Sequence, residues 1–187
     1  MGVRGRSSKK PAKIEQIVPQ VSRIYRWYVL YTRCKHEVAA ESYLKRCGIE
    51  TYLPREKVLR ERSDRRTWTL RPLFPSYIFV RVSCREYEKA LQHFSIASYV
   101  TFEGFPCSVP DEQIGAIKVI LNKKVGFEVT SEKIETGEKV VIKEGPLAGY
   151  QAEVVERTGK KEVILRVEGT NQSIVFAIQR DFLITNE

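Results

Sequence analysis

The chain has only two histidines and four cysteines among 187 residues, and nothing in their spacing makes a site. Cys34, Cys47, Cys84 and Cys107 lie 13, 37 and 23 positions apart with no CxxC pair, which excludes a zinc-finger spacing and a disulfide framework. Thiols used this way fit a reducing, cytoplasmic setting. Cys34 sits among Arg33, Lys35 and His36, but a nucleophile needs an oriented base and oxyanion donors, and no supporting motif accompanies it. The expectation is a non-enzyme with no catalytic residue, metal or cofactor. Apolar runs are short as well. The basic leading segment contains only Ile17-Val18 and the isolated Val21 and Ile24, far short of a signal-peptide core, and no membrane partner is expected.

What the chain does have is positive charge, unevenly placed. The net charge is +9. Residues 1–26 hold seven Lys/Arg against one acid, residues 27–122 fifteen against eleven, and residues 123–187 ten against eleven. The basic character belongs to the front two thirds, which favours a polyanionic partner such as nucleic acid.

Residues 1–25, rich in Gly, Ser, Lys and Arg without periodicity, read as a flexible basic tail. Trp27 to Thr32 (WYVLYT) reads as a buried strand. Ala40, Tyr43, Leu44 and Cys47 recur at helical spacing, with Gly48 placed as a stop. Ile49 to Leu53 returns to strand, and Lys57 to Arg71 forms a charged hairpin turning at Ser63-Asp64. In RPLFPSYIFVRV, Arg71 to Val82, two prolines hold an extended approach to a strand. Tyr77 and Phe79 point to one face and Ile78, Val80 and Val82 to the other. The aliphatic face reads as core, and the aromatic face ending in Arg81 as a docking surface.

Tyr87, Ala90, Leu91 and Phe94 predict a second short helix, Ser98 to Phe102 a strand, and Asp111-Glu112 after Pro110 the start of a third helix burying Ile114, Ile117 and Leu121. Residues 26–122 are thus an α+β domain, an antiparallel sheet with flanking helices. Residues 123–134 read as a linker. Residues 135–187 read as a small all-β barrel of five strands: Lys139 to Lys143, Gln151 to Glu156, Val163 to Val167, Ser173 to Ala177 and Phe182 to Ile184. Gly145 and Gly149 bracket a tight turn ahead of Tyr150, with Pro146 fixing φ beside it. No phosphate-cradling loop is present, because further glycines and a Lys-Ser/Thr pair are missing.

Four segments in order carry a resemblance: WYVLYTR at Trp27 to Arg33, PLFPSYIFV at Pro72 to Val80, VPDEQI at Val109 to Ile114, and GEKVVIKEGPLAGYQAEV at Gly137 to Val154. The chain resembles the NusG family of transcription elongation factors over residues 26–187, and its specialised paralogues of the RfaH, LoaP and UpxY kind more than the general factor. Ser76 and Ala152 stand where the general factor commonly has glycine, and His93 to Ser98 (HFSIAS) replaces its usual asparagine-threonine-proline-glycine stretch. The threonine run that touches the polymerase gate loop in one paralogue is also missing.

The resemblance implies a monomeric NGN-like domain that binds the clamp helices of RNA polymerase, followed by an SH3-like KOW domain that recruits a ribosomal protein or Rho. It implies a polymerase pocket of Tyr31, Phe74, Pro75, Tyr77 and Phe79, and contact of Arg33, Lys35 and His36 with the non-template DNA strand or nascent RNA. Gly145, Gly149 and Tyr150 would form the KOW turn. The implied function is elongation and antitermination on long operons; the alternative is a KOW-containing RNA- or ribosome-binding protein without polymerase contact. Strong β propensity in VVIK, EVILRV and SIVFAI predicts that the barrel has no helical state.

Overall fold

A computed structural model describes residues 23–62, 65–123, 126–132, 134–135, 137–157, 160–176 and 183–185. The expected hairpin turn at Ser63-Asp64, most of the basic tail, and the Ala177 and Phe182 strand ends lie outside the described residues.

The N-terminal sheet is built around β1 (Arg26–Thr32), which pairs antiparallel with β5 (Tyr77–Val82) on one side. On its other side it pairs with β6 (Ile96–Tyr99) and β9 (Ser108–Val109). β2 (Glu50–Tyr52) adds to the far side of β5. The period-two alternation of β5 sorts its side chains onto two faces, as its sequence predicts, and each face reaches a core of its own. Ile78, Val80 and Val82 join Tyr28, Leu30, Ala40 and Leu44, so this face is closed by α1 (Glu37–Arg46) and α2 (Tyr87–Ala90). Tyr87 and Tyr99 stack there at 3.9 Å, and the Tyr99 hydroxyl donates to the Tyr87 carbonyl at 3.0 Å. Burial pushes the Tyr87 phenol up to about 12.

Phe79 joins Trp27 and Val29 on the opposite face, with Ile114, Ala116, Ile117 and Ile120 of α3 (Asp111–Asn122). The same cluster runs without a break into the C-terminal domain, through Val140, Ile142, Leu147, Val163, Leu165 and Phe176. Three close approaches join the domains. Gly115 of α3 leaves room for the Tyr150 hydroxyl, which would lie 2.8 Å from an added Cβ. Gly169 lies against Val29 and Cys107. Gln113 accepts from the Glu168 backbone N–H at 3.1 Å and donates to its carboxylate at 3.4 Å.

The C-terminal domain is a six-stranded antiparallel sheet of barrel type. In spatial order it runs β10 (Glu128–Thr130), β14 (Gln172–Phe176), β13 (Lys160–Val167), β12 (Gln151–Arg157), β11 (Glu138–Ile142), β15 (Leu183–Thr185). The five expected strands are all present. The sixth corrects the linker, because Glu128–Thr130 pairs with Ser173–Val175. Three residues are too few to show alternation in sequence.

Two further expectations are corrected. The second helix stops at Ala90, and Phe94 is exposed, because the chain turns at once: the Ser95 N–H meets His93 Nδ1, and the Ile96 N–H donates to the His93 carbonyl. The strand expected over Ser98 to Phe102 divides at Val100, whose N–H donates back to the Val29 carbonyl. Thr101–Phe102 (β7) then forms a small hairpin with Phe105–Pro106 (β8). Residues Glu103 and Gly104, both at positive φ, make its turn. In α3, Ile120 and Ala116 take the deeply buried places, while Leu121 is only half-buried.

Candidate functional site

The loop Pro72-Leu73-Phe74-Pro75-Ser76 delivers the chain from the hairpin into β5. The Leu73 N–H donates to the Pro54 carbonyl at 2.8 Å, and Ser76 turns the chain at φ 67. An L-residue in this left-handed region is costly, by roughly 1–2 kcal/mol. Both backbone groups of Ser76 are bonded, the N–H to Glu37 Oε1 at 2.8 Å and the carbonyl to the Thr32 N–H at 2.8 Å. Glu37 is itself buried in the first turn of α1, where the helix dipole favours its charge. A loop tied on two sides holds its aromatic neighbours in fixed positions.

Those neighbours fall into two groups. Tyr31 and Tyr77 are cross-strand partners with rings edge to face at 5.3 Å; Tyr31 is 45% exposed and Tyr77 half-buried. Burial, then the neighbouring Tyr31, push the Tyr77 phenol above its ordinary value. Pro75 is exposed beside them. Phe74 and Phe79, in contrast, have no exposed surface, and their rings meet edge to face at 6.0 Å. The expected aromatic docking face is therefore corrected in part: Phe79 is core, because α3 and the C-terminal domain close the cluster that contains it. Tyr52 and Lys118 extend this region and were missed from sequence. Tyr52 packs toward Phe79 at 6.3 Å, burial pushes its phenol up to about 12, and Lys118 Nζ lies 5.2 Å from its ring and 5.8 Å from that of Trp27. The cation–π pattern crosses from helix to sheet, so no local spacing reveals it.

The second group of residues lies in the β1–α1 loop. Arg33 and Lys35 are exposed, Lys35 at φ 63, and the Arg33 N–H donates to the Ser95 carbonyl at 2.9 Å. That bond brings the His93 to Ser98 segment beside the cations. His36 Nδ1 lies 2.9 Å from the Cys34 carbonyl and so carries the proton; its ring meets Phe94 edge to face at 5.6 Å. Tyr43 stacks on His93 at 4.5 Å, and Phe94 is 62% exposed. Sequence reading named Arg33, Lys35 and His36 but missed Tyr43, His93 and Phe94. Their signal was the same departure from the general pattern at HFSIAS. Cations beside an exposed ring, Phe94, and half-buried ones suit a single-stranded nucleic acid, whose bases stack while phosphates meet charge.

In the C-terminal domain, Gly145 and Gly149 adopt φ of 88 and 84, and the turn is closed by Gly149 N–H to Ile142 carbonyl at 2.7 Å and Tyr150 N–H to Leu147 carbonyl at 3.1 Å. Tyr150 then reaches α3 of the other domain rather than solvent. Among the described residues no group of three or more His, Cys, Asp or Glu is placed to hold a metal, and no helix is long and apolar enough to cross a membrane.

An antiparallel α+β domain with a loop-held aromatic patch, followed by a small β barrel, defines a two-domain binding protein. The chain belongs to the NusG family: the family model described as "Transcription termination factor nusG" matches residues 25–118. Members of this family are non-enzymatic transcription factors that bind RNA polymerase. Among solved structures, "Domain interaction in Thermotoga maritima NusG" is similar at 18% identity and a TM-score of 0.47, covering 87% of this chain and 98% of that one. The "MjSpt4:Spt5 complex conformation A" is similar at 16% identity and a TM-score of 0.29, covering 86% of this chain and 98% of that one.

Proposed function

We propose that this protein is an elongation and antitermination factor of the specialised kind, holding polymerase through its N-terminal domain and serving particular long operons. The observation that carries the reading is the exposed Tyr31 and Pro75 with the half-buried Tyr77, set against buried Phe74 and Phe79, on a loop whose Ser76 accepts a glycine-like backbone. An apolar rim around aromatic rings suits the tip of a helical hairpin such as the polymerase clamp helices. Binding there favours the closed, processive clamp by differential affinity. Full use of Phe74 and Phe79 requires the shared interdomain cluster to open. Arg33, Lys35 and His36, with Phe94 and His93 beside them, would then meet the displaced non-template strand. The C-terminal domain would recruit a ribosomal protein or Rho through its own surface.

The test is a purified transcription reaction on a template with a terminator. Addition of the protein raises readthrough, and Tyr31→Ala with Tyr77→Ala lowers polymerase binding at least tenfold while leaving the melting transition in place. Unchanged binding would remove the pocket from the reading. Co-purification with ribosomes and without polymerase would favour the RNA- or ribosome-binding alternative.

A further inference from the structure

Ser76 lies between the aromatic rim and the cation-bearing loop and is bonded to the elements that carry both. The loop that leaves the hairpin of β3 (Arg55–Arg62) and β4 (Arg65–Pro72) brings Pro75 and Tyr77 to the rim, with Ser76 between them at φ 67. The β1–α1 loop carries Arg33, Lys35 and His36 and runs from Thr32, the last residue of β1, to Glu37, the first of α1. Each end of it is tied to Ser76. The Thr32 N–H donates to the Ser76 carbonyl at 2.8 Å, and the Ser76 N–H donates to Glu37 Oε1 at 2.8 Å. One residue therefore holds the base of both loops.

Glu37 is placed unlike an ordinary acid of a first helical turn, which faces water while the helix dipole favours its charge. It is 6% exposed, and its carboxylate reaches a backbone N–H 39 positions along the chain. A buried carboxylate is costly unless hydrogen-bonded, and a bond it accepts is stronger than one between neutral groups. One turn further along α1, Glu41 pairs with Arg55, and the Leu73 N–H bonds to the Pro54 carbonyl. Two carboxylates of one helix thus hold the base of the hairpin and the exit of the loop that follows it. The Glu37 bond offsets the left-handed strain of Ser76, a strain that glycine would not carry.

We propose that Glu37 is a positioning residue shared by the two surfaces: through Ser76 it sets both the aromatic rim for polymerase and the Arg33, Lys35 and His36 loop for single-stranded nucleic acid. The proposal rests on the reading of those surfaces given above. A ligand on either surface then favours the arrangement that the other needs.

The experiment uses the full chain, with RNA polymerase as one probe and a labelled single-stranded oligonucleotide of about 12 nucleotides, in about 100 mM salt, as the other. Glu37→Ala weakens polymerase binding about tenfold. It also weakens oligonucleotide binding about threefold, although loss of an acid beside three basic residues would by charge alone strengthen it. In the Ser76→Gly background both losses nearly vanish, because glycine holds the left-handed backbone without the carboxylate. Glu37→Gln keeps an acceptor and gives an intermediate loss of polymerase affinity, also removed by Ser76→Gly; it carries the test if Glu37→Ala lacks the wild-type melting transition. Three results would each overturn the proposal: the same losses in both backgrounds, a loss on one surface only, or tighter oligonucleotide binding by Glu37→Ala. Two controls separate this from failure of the underlying reading. If the wild-type chain binds no oligonucleotide, or if Tyr31→Ala with Tyr77→Ala leaves polymerase binding unchanged, the surfaces themselves are misplaced and the proposal falls with them; otherwise Glu37 alone is at fault.

Discussion

The two faces of the N-terminal sheet are equally dry but differently closed. Behind Ile78, Val80 and Val82 the cover is α1 and α2, which belong to the same domain and are joined to the sheet by short turns. Over Trp27, Val29 and Phe79 the cover is α3 and, in one continuous cluster, the C-terminal domain. A cover made by local helices is lost only by unfolding. One made partly by a separate domain can be lifted while both domains stay folded. The sheet thus separates a permanent core from a conditional one, and the polymerase pocket proposed above falls on the conditional side.

The largest expected effect tests the permanent side. Leu44 of α1 has no exposed surface, so Leu44→Ala removes buried methyl groups and leaves a cavity, costing about 2–5 kcal/mol. Urea denaturation should show the N-terminal transition, followed by the fluorescence of Trp27 and Trp68, move to lower denaturant, with the C-terminal transition, followed by the NMR amide resonances of its own strands, unmoved. A variant that instead freed the C-terminal domain would dissolve the distinction between the faces.

This division was partly legible in the residues. The alternation of β5 predicted which side chains share a face, and WYVLYT and the Ala40–Tyr43–Leu44 spacing predicted the elements of the permanent core. The conditional core was not legible. Phe79 looks the same in sequence whether its neighbour is solvent, α3 or a distant domain, because alternation reports a face and not its cover. The contacts that close it, Tyr150 on Gly115 and Gly169 on Val29, join positions more than thirty residues apart. The His36, His93 and Phe94 cluster was hidden for the same reason, since a backbone bond from Arg33 to Ser95 brings two loops together.

A smaller effect is expected from Gly169→Ala. Gly169 adopts φ 75, and an added Cβ would lie 2.8 Å from Val29 Cγ2. The left-handed backbone costs roughly 1–2 kcal/mol in an L-residue, and Val29, held in the sheet, has little room to yield. Relaxation measurements by ¹⁵N NMR should show the two domains tumbling more independently than in the wild type. Joint tumbling at the wild-type rate would mean that this contact does not hold the domains together.

Gln113→Ala is milder. It deletes both hydrogen bonds to Glu168, a loss of about 0.5–1.5 kcal/mol, because the freed N–H and carboxylate lie at an exposed edge where water replaces the partner. The separated fraction should rise about two- to tenfold by the same NMR measurement, with the stability of each domain unaltered. On the proposed function, polymerase affinity should rise in step. A rise in separation without a rise in affinity would show that the conditional cover does not restrain binding.

The smallest effect, and the one that tells most about the loop between the faces, is Ser76→Gly. The bonds of Ser76 to Glu37 and Thr32 use its backbone groups, so glycine retains them while relieving the positive-φ strain. Glycine also has more freedom to lose on folding, which offsets part of the gain; the net should be a stabilisation of about 0.5–1 kcal/mol, read as a higher urea midpoint at unchanged slope. The serine hydroxymethyl group is then the side-chain difference between Pro75 and Tyr77. If stability rises while polymerase binding weakens, the strained serine is retained for contact, as a specialised factor would require. If both rise together, Ser76 carries no part of the recognition, and the proposed specialisation rests on the remaining departures, among them His93 to Ser98 and Ala152.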